Sequence, residues 1–528
     1  MGISLAFIVL PSLGVCAEPK PQGTLNMAVV SLAAEGFLPD VGTVDQARAW
    51  VIVYDYPFYF NKKLERIPGL ATRYEYSKDH LTLTLYLRKG VPWQGDWGEV
   101  TADDVKYTYE RITKSLNNVI TQNLNASVKD IKVVDRYTVA FHLKRPSPEL
   151  WASLFGGQTM SAPILCKKYI ETVGEEKARA NPIGSGPYRL VEHKPGQYMK
   201  FEAVEKHWRV VPEFKYLYLR IVPEESTRVA MLKTGEIDIT QIVAQSMASF
   251  EGNPDITTMN WVGGYSLMGC FGGMITPADK RFKKGYHQTD PWTNIKVREA
   301  MNLAIDRWAI VKAIYKGTAR PMPIAWPLPG YEDLPPIPYD PTKAKRLLTE
   351  AGYPNGFKLK VLAVTEWTPA LEMPKVMEIV AAYFEGIGLK PEIVQIEKQV
   401  SQLQSRAAKD VGMIFPWSET YKTSMSGYHY QKFSANATSP IYQSDELTAL
   451  INEYEAELDE GKREAALGKV RDYHYKNFAT IPLVQAMPIW AYRNKKISGW
   501  PESPIDRQIF LEYVRHVKPL NTYRLFTP

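Results

Sequence analysis

The chain has 528 residues, of which 45% are hydrophobic and 23% are charged, and its formal net charge is +7. This composition is typical of a globular protein, and the length suffices for several domains, since single domains rarely exceed a few hundred residues. A small charge excess without a basic run argues against nucleic acid as a partner. Three cysteines, Cys16, Cys166 and Cys270, are too few for a disulfide framework.

Residues 1–17 have the pattern of an export signal. An apolar run that is too short to span a bilayer is followed by small residues ending at Ala17. We therefore predict a signal peptide cleaved after Ala17 and a periplasmic mature protein. Lipid anchoring at Cys16 is the alternative, although valine directly before this cysteine fits a lipoprotein signal poorly. No later segment has about 20 consecutive apolar residues, so we expect no membrane-spanning helix in the mature chain.

The first predicted strand begins at Thr24, in the run LNMAVV, and a loop from Ser31 to Pro39 follows it. The clearest strand lies between Leu81 and Leu87, where leucines alternate with threonine and tyrosine. A period of two residues indicates a half-buried strand. After it, Thr101 and Asp104 have the spacing of a capping box, which predicts the start of a helix.

The stretch from Ile67 to Arg111 also contains a characteristic series of short sequence motifs. It contains Leu-Ala, a Ser-x-Asp turn, the alternating strand, Leu-Arg-Lys-Gly-Val and Thr-Ala-x-Asp-Val in that order. This resembles the signature of the peptide/nickel family of extracytoplasmic solute-binding proteins, which are the receptors of ABC importers.

Further landmarks follow in the order in which that family has them. They are a hairpin at 130–143, the reversal NPIGSGPY at 181–188, a helix from Pro223 that Gly235 ends, two helices between Asp290 and Gly317 with the wording VREAMNLAIDR, a helix capped by Asp340, helices between Ser444 and Phe478, and a strand at 481–484. The resemblance covers Leu25 to about Trp500, which is nearly the whole mature chain.

The resemblance implies an α/β fold of the type II-like periplasmic binding protein class, with two lobes, a hinge and the three-domain (cluster C) form. It implies a division of the mature chain into segments: 18–62 (domain I, first part), 63–182 (domain II), 183–268 (domain I, second part), 269–484 (domain III) and 485–528 (domain I, third part).

Motifs of catalysis and of metal or cofactor binding are missing from the sequence. The eight histidines include no pair at helical metal-ligand spacing, and phosphate-binding loops, dinucleotide fingerprints and calcium loops are absent. The Gly-Ser-Gly at 184–186 lacks the nucleophile-elbow pattern. We therefore predict no catalytic residue, no metal and no cofactor. A secreted hydrolase stays as an alternative, which needs two carboxylates within about 5–10 Å of each other across a cleft.

A ligand site is expected in the sequence VGMIFPWSETY at 411–421. Val411–Phe415 is apolar enough for a buried strand, and we expect Trp417–Tyr421 to form the loop at its end, where α/β folds bind ligands. In the family this region carries the principal ligand determinant, an Asp-Tyr pair whose aspartate binds a peptide's α-ammonium. This chain departs from the pattern, because Glu419 or Thr420 takes the aspartate's place, depending on the alignment.

Several interpretations of this stretch stay open. Glu419 has the reach to hold a cation, whereas Thr420 in the same place puts ammonium recognition in doubt. The spacing of Trp417 and Tyr421 resembles the nickel-binding branch, but the arginine that this branch uses is absent between Phe155 and Ile164. Trp417 and Tyr421 are alternatively core aromatics.

The resemblance places other residues at the cleft: Glu35 and Phe37 after the first strand, and Tyr265 and Phe271 in the segment that crosses between the lobes. Trp326, in a proline-rich loop, is a further candidate. A structural role is the alternative for each of them, and Trp326 either reaches the cleft or holds its loop in place.

The function that the resemblance implies is a receptor that captures a small solute by hinge closure and delivers it to an ABC permease in the inner membrane. We expect a monomer. A di- or oligopeptide is the first expectation for the solute, with Glu419 as the partner of its amine. The alternative is a non-peptide solute, such as an oligosaccharide, an opine, an aromatic metabolite or a metal chelate.

Overall fold

The computed structural model of the chain describes residues 20–32, 35–39, 44–60, 66–115, 120–155, 162–260, 264–279, 281–282, 290–328, 330–398, 400–401, 412–420, 425–435, 437, 439–499 and 514–516. The predicted leader with Cys16, and Tyr421, lie outside these ranges. Within these ranges, no helix is long and apolar enough to cross a membrane.

The described strands, in chain order, are β1 (Thr24–Val29), β2 (Phe58–Phe60), β3 (Arg66–Pro68), β4 (Ala71–Tyr76), β5 (Thr82–Leu87), β6 (Val128–Asp135), β7 (Thr138–Leu143), β8 (Tyr188–Lys194), β9 (Tyr198–Ala203), β10 (Tyr216–Ile221), β11 (Ile239–Ile242), β12 (Ile256–Asn260), β13 (Tyr265–Phe271), β14 (Ala319–Pro321), β15 (Lys358–Thr365), β16 (Lys390–Glu397), β17 (Met413–Thr420), β18 (Ile481–Ala486), β19 (Ile489–Arg493), β20 (Ile497–Gly499) and β21 (Arg515–His516).

The described α-helices are α1 (Val44–Val53), α2 (Ala102–Lys114), α3 (Thr121–Ser127), α4 (Leu150–Phe155), α5 (Lys167–Val173), α6 (Glu175–Ala180), α7 (Glu225–Thr234), α8 (Ile295–Leu303), α9 (Arg307–Ala313), α10 (Pro341–Glu350), α11 (Met373–Gly386), α12 (Met425–Tyr428), α13 (Asp445–Ala456) and α14 (Glu460–Lys476). A π-helix at His429–Phe433 continues α12, and 3-10 helices lie at Ala244–Phe250, Pro291–Thr293 and Tyr331–Asp333.

Three large sheets organise the described part of the chain. A mixed seven-stranded sheet has the order β12-β19-β11-β1-β10-β9-β8, and a four-stranded antiparallel sheet has the order β4-β5-β7-β6. A six-stranded sheet has the order β14-β18-β13-β17-β15-β16. The seven-stranded and four-stranded sheets share one buried core, and the six-stranded sheet has its own core made of residues between Tyr265 and Ala486. The molecule therefore has a larger lobe, with the first two sheets, and a smaller lobe around the third.

Local sequence rules account for many of these elements. The capping box of Thr101 and Asp104 starts α2, and Asp306 and Asp340 cap α9 and α10 by accepting hydrogen bonds from backbone N–H groups. Gly235 ends α7 with a left-handed φ of 87°, as glycine does at helix C-termini. The predicted capping box, the predicted cap at Asp340 and the predicted helix end at Gly235 are thus confirmed.

The predicted burial of the alternating leucines on one face of a strand is confirmed with one exception. Leu83, Leu85 and Leu87 are buried on one face of β5. Leu81, predicted on the same face, is 38% exposed, because β5 begins only at Thr82. The side chain of Asp79 accepts a hydrogen bond from the Leu81 N–H at 3.0 Å, so this leucine belongs to the turn.

The chain passes between the lobes in two neighbouring segments. β12 ends in the seven-stranded sheet at Asn260, and β13 begins in the six-stranded sheet at Tyr265. β18 and β19 make the return, from Ala486 to Ile489. Asn260 pairs with Ile489 on one side of the crossing, and Tyr265 pairs with Ala486 on the other. Two short adjacent connections of this kind act as a hinge, since rotation about them leaves both lobes intact.

The larger lobe is held together at its centre by the carboxylate of Asp55, which is fully buried. One oxygen accepts hydrogen bonds from the hydroxyl of Tyr59 at 2.7 Å and from Arg209 at 3.1 Å. The other accepts from Ser185 at 3.1 Å and from the indole of Trp208 at 2.8 Å. Burial opposes ionisation, but the guanidinium of Arg209, the adjacent imidazole of His207 and the hydroxyl of Tyr59 outweigh it and hold the pKa of Asp55 well below its ordinary range.

The predicted reversal at 181–188 packs directly against this centre. The N–H of Gly186 donates to the carbonyl of Val53 at 2.8 Å. A Cβ placed on Gly184 would lie 1.8 Å from the same carbonyl oxygen, so only glycine fits there. The Gly-Ser-Gly therefore has a structural function, in which Ser185 donates to Asp55.

The Asp55→Asn variant tests the importance of this centre. An amide cannot accept all four hydrogen bonds or neutralise Arg209, and a buried cation without its partner costs about 3–5 kcal/mol. We expect the free energy of unfolding of the larger lobe to fall by about that amount in urea denaturation. Asp96→Asn, at an exposed position, is the control and should change it by less than about 0.5 kcal/mol. Equal effects of the two substitutions would show that the carboxylate is dispensable.

Candidate functional site

Strand β17 extends further than the sequence suggests. The loop predicted at Trp417–Tyr421 is wrong as far as Thr420, because β17 pairs with β13 along its length, from Ile414 opposite Phe271 to Thr420 opposite Tyr265. This pairing keeps the segment as far as Thr420 in the strand. Trp417 and Glu419 therefore lie on a rigid strand close to the hinge.

Three parallel strands of the smaller lobe end at the same sheet edge. β15 is parallel to both β16 and β17. Trp367 follows the end of β15, Lys398 follows the end of β16, and Trp417 and Glu419 lie near the end of β17. The carboxyl ends of parallel strands are the usual position of ligand sites in α/β folds. The matching edge of the larger lobe faces this one, since Gln241 in β11 donates to the carbonyl of Pro369 at 2.7 Å.

Trp417 contacts a buried pair of opposite charges. The ammonium nitrogen of Lys432 lies 3.5 Å from the centroid of the Trp417 ring and 3.9 Å from a carboxylate oxygen of Glu419. The indole N–H of Trp417 donates to the same carboxylate at 3.3 Å. Trp417, Glu419 and Lys432 are 7%, 6% and 3% exposed. Each partner compensates the others, as buried charges require.

A second tryptophan and a second lysine extend this group. The rings of Trp367 and Trp417 meet edge to face with their centroids 5.0 Å apart, and the ammonium nitrogen of Lys398 lies 5.6 Å from the centroid of Trp367. Lys398 is 7% exposed. We call these five residues, Trp367, Lys398, Trp417, Glu419 and Lys432, the tryptophan–lysine cluster.

The segment that carries Lys432 lies between the two lobes. α12 contacts α4 of the larger lobe, and the π-helix contacts α3. The hydroxyl of Tyr430 in the π-helix accepts a hydrogen bond from Arg145 of the larger lobe at 2.5 Å. Movement of one lobe against the other therefore acts directly on the π-helix, an element that often marks functional sites.

Tyr265 lies at the hinge rather than among the cluster residues. It is buried, and its hydroxyl donates to the carboxyl of Glu372 at 2.9 Å. Burial raises the pKa of Glu372 to about 7. This pair joins the beginning of β13 to the beginning of α11, next to the crossing between the lobes.

The other residues expected at the cleft do not join the cluster. The carboxylate of Glu35 contacts His193 at 2.5 Å and accepts the Gly196 N–H at 3.0 Å, so it fixes the loop after β1 to the β8–β9 hairpin. Phe37 is fully buried, and its ring meets that of Phe201 at 6.4 Å.

Phe271 and Trp326 belong to the core of the smaller lobe. The Phe271 ring is 6.1 Å from that of Trp292, at the end of β13 away from the hinge. Trp326 is fully buried and contacts the rings of Tyr428 and Phe433, so it holds its loop in place. Of Thr420 the structure describes only the backbone, and Tyr421 lies outside the described residues.

Comparison with known proteins agrees with this architecture. A sequence model described as "Bacterial extracellular solute-binding proteins, family 5 Middle" matches residues 65–439. The chain is 30% identical to the dipeptide-binding protein of Escherichia coli (strain K12) over 360 residues, 63% of this chain and 64% of that protein. It is 26% identical to heme-binding protein A of Haemophilus influenzae over 474 residues, 84% and 83% of the two chains. The match spans just under two thirds of the length of the Escherichia coli protein.

Solved structures share the fold at low sequence identity. A periplasmic binding protein, DppA, from Helicobacter pylori in complex with the peptide STSA has a TM-score of 0.81 and 22% identity, with 94% of this chain and 99% of that chain covered. MoaA in complex with mannopinic acid, from A. tumefaciens R10, has a TM-score of 0.78 and 22% identity, with 93% and 99% covered. The fold is that of the two-lobed periplasmic binding proteins. The chain belongs to family 5 of the bacterial extracellular solute-binding proteins.

The pH dependence of stability tests the environment of Glu372. Between its ordinary pKa of 4.5 and its native pKa of about 7, the native state keeps a proton that the unfolded state has lost. The free energy of unfolding should therefore fall as pH rises through this window, by at most about 1.4 kcal/mol per pH unit. Glu372→Gln should remove this slope, as measured by urea denaturation between about pH 5 and pH 8.

Glu385→Gln is the matched control, because Glu385 lies exposed on the same helix. It should leave the slope as in the wild type. An unchanged slope in Glu372→Gln would show that this carboxyl group does not titrate in that window.

Proposed function

We propose that this chain is the ligand-binding receptor of an ABC importer, which captures one small solute between its lobes and presents the closed form to a permease. The observation that carries the proposal is the hinge. Two separately packed lobes are joined by two adjacent strand crossings, and one sheet edge of each lobe faces the other beside these crossings. Ligand capture requires this arrangement and no covalent step.

Polar contacts between the lobes support closure as the working motion. Arg145 in the larger lobe contacts Glu455 in the smaller lobe, and the hydroxyl of Tyr430 donates to the same carboxylate at 3.2 Å. Nearby, the hydroxyl of Tyr454 donates to Glu149 of the larger lobe. Each of these groups can be hydrated when the lobes separate, so the contacts favour the closed form only.

The ligand shifts this equilibrium by binding the closed form more tightly than the open one. Closure also excludes water from the strand ends, which strengthens polar contacts to the ligand. In this proposal β17 is rigid and supplies contacts to the ligand that do not change on closure. The segment formed by α12 and the π-helix, by contrast, moves with the larger lobe.

The names of relatives bear on the solute class. Relatives of this chain include proteins named for a dipeptide, for glutathione and for heme, and solved neighbours include complexes with peptides and with mannopinic acid. A small organic solute with polar ends is common to these names. We propose such a solute for this chain, an extracytoplasmic location for the mature protein after removal of residues 1–17, and a monomeric receptor.

Native mass spectrometry of the mature chain, expressed from Glu18, tests capture. We expect a monomer that retains a co-purified small molecule, and a smaller radius of gyration by X-ray scattering with that molecule than after its removal. Binding at about 100 times its Kd should add about 2.7 kcal/mol to the free energy of unfolding. Equal radii with and without a bound compound would contradict capture by closure.

Arg145→Ala tests the contact between the lobes. The side chain of Arg145 is 35% exposed and that of Glu455 is 3% exposed, so the closed form would keep a buried carboxylate without its cation. We expect the closed form to lose about 1–2 kcal/mol, which weakens ligand affinity roughly 5- to 30-fold in calorimetry.

Arg136→Ala is the control for this variant. Arg136 pairs with Glu99 at 2.8 Å inside the larger lobe and is more exposed, so its loss should leave affinity within about twofold of the wild type. If both variants bind equally well, the contact of Arg145 does not contribute to closure.

A further inference from the structure

A hydrogen bond between the lobes fixes the side chain of Gln241, near the end of β11. Its amide N–H donates to the carbonyl of Pro369 at 2.7 Å. Because a carbonyl oxygen only accepts, this contact identifies the nitrogen end of the amide and leaves Oε1 as the acceptor end. Gln241 is 4% exposed, and its Oε1 has no hydrogen-bond partner in the described part of the chain. The larger lobe thus places a fixed, unsatisfied acceptor at the junction of the lobes.

A second unsatisfied group lies on the smaller lobe at the same junction. Thr368 comes directly before Pro369 and directly after Trp367, a member of the tryptophan–lysine cluster. It is 1% exposed, and its hydroxyl has no hydrogen-bond partner among the described residues. Two buried polar groups, one from each lobe, are therefore associated with a single hydrogen bond between the lobes, next to the strand ends proposed for the ligand.

Thr240, the residue before Gln241, shows the ordinary behaviour of a buried hydroxyl. It is fully buried, and its hydroxyl donates to the carbonyl of Ala28 at 3.2 Å inside the larger lobe. Buried polar groups are satisfied as a rule, because an unpaired group destabilises the state that buries it. At Gln241 and Thr368 this cost falls on the contact between the lobes.

Closure is the step that creates this cost in the proposed receptor. Gln241 belongs to the seven-stranded sheet, and Thr368 lies between β15 and α11 of the smaller lobe, so separation of the lobes gives water access to the surface between them. Closure without a solute leaves both groups unsatisfied. Closure around a solute with a suitable N–H or O–H group replaces the hydrogen bonds to water. The open form is thereby favoured until such a solute binds.

We propose that Gln241 and Thr368 form a polar gate at the junction of the lobes, which selects solutes that carry an amide N–H or a hydroxyl next to an apolar body. This inference rests on the proposed function and defines the chemical class of its solute. The donor belongs either to the backbone of a short peptide or to a hydroxyl group of a non-peptide solute. The ring of Trp367, packed against that of Trp417 at 5.0 Å, supplies the apolar side of the same contact.

The Thr368→Val variant tests the gate in the absence of any solute. It removes the hydroxyl and keeps the shape of the side chain, so the closed form no longer buries an unpaired polar group. Single-molecule FRET between dyes on cysteines substituted for Val134 and Ile393, one exposed position on each lobe, counts the closed molecules. We expect the ratio of closed to open molecules to rise at least about fivefold. Thr368→Ser keeps a hydroxyl and should behave as the wild type.

Thr240→Val is the matched control, since it is the same substitution at a hydroxyl that is bonded within one lobe. It should lower the urea midpoint of unfolding and leave the ratio of closed to open molecules unchanged. A purely structural role of Thr368 predicts a different result for Thr368→Val, namely a changed urea midpoint with an unchanged ratio.

Matched pairs of probes test the chemical class of the solute. The first pair is Ala-Phe and its ester analogue, in which oxygen replaces the amide N–H. The second pair is 3-phenyllactate and 3-phenylpropionate, which lacks the hydroxyl. In calorimetry we expect the member with the donor to bind at least about fivefold more tightly in one of the pairs, and that pair identifies the source of the donor. Gln241→Met has no acceptor at this position and should bring the ratio of affinities close to one.

The outcomes separate the inference from the receptor function. An unchanged ratio of closed to open molecules in Thr368→Val would overturn the inference, as would equal affinities within every pair that binds. The receptor function stands in both cases if a bound compound closes the wild-type protein. If none of the four probes binds, the measurement without solute decides the inference by itself. A wild-type protein that stays open with every probe and with any co-purified compound would overturn both.

Discussion

The structure depends on the two neighbouring crossings by which the chain passes between its lobes. Asn260 and Ile489 are paired in one sheet, and Tyr265 and Ala486 are paired in the other, so the connections start and end at fixed, adjacent points. This restricts relative motion of the lobes to rotation about one narrow line. It also fixes the position of the proposed ligand site, since the strands next to the crossings determine which side chains of the two lobes face each other.

Charge compensation stabilises the buried carboxylates of both lobes. A buried carboxylate needs a partner, and the partner of Glu419 comes from the protein, through Lys432 and the indole N–H of Trp417. In the larger lobe Asp55 illustrates the purely structural version of the rule, because all of its acceptor positions are taken by fixed donors. The environment of Lys432 differs from that of Asp55, because Lys432 lies on a π-helix that contacts elements of both lobes.

The sequence predicted the parts of this account that local rules control. Helix caps and the alternating leucines of β5 follow from neighbouring residues. Trp417 and Glu419 were predicted in a loop but lie in β17, because the pairing of β17 with β13 depends on residues distant in the sequence. The partners of these two residues were missed. Lys432 lies in a π-helix, whose wider turn removes the helical periodicity. Trp367 and Lys398 follow the ends of two other strands, and only the order of the strands in the sheet brings them close to Trp417. The available signal in the sequence was their position directly after strands, since ligand sites lie at the carboxyl ends of parallel strands. Glu35, Phe37 and Phe271 were assigned to the cleft by resemblance, but the structural contacts of Glu35 and Phe37 depend on distant residues, His193 and Phe201.

Closure of the lobes around a bound solute is the central claim, and a distance between the lobes measures it most directly. Val134 in the larger lobe and Ile393 in the smaller lobe are 63% and 46% exposed and accept spin labels after substitution by cysteine, while Cys166 and Cys270 are buried. Double electron–electron resonance should give a broad distance distribution without ligand. With the co-purified compound the distribution should become narrower and shift. An identical distribution in both states would contradict the account.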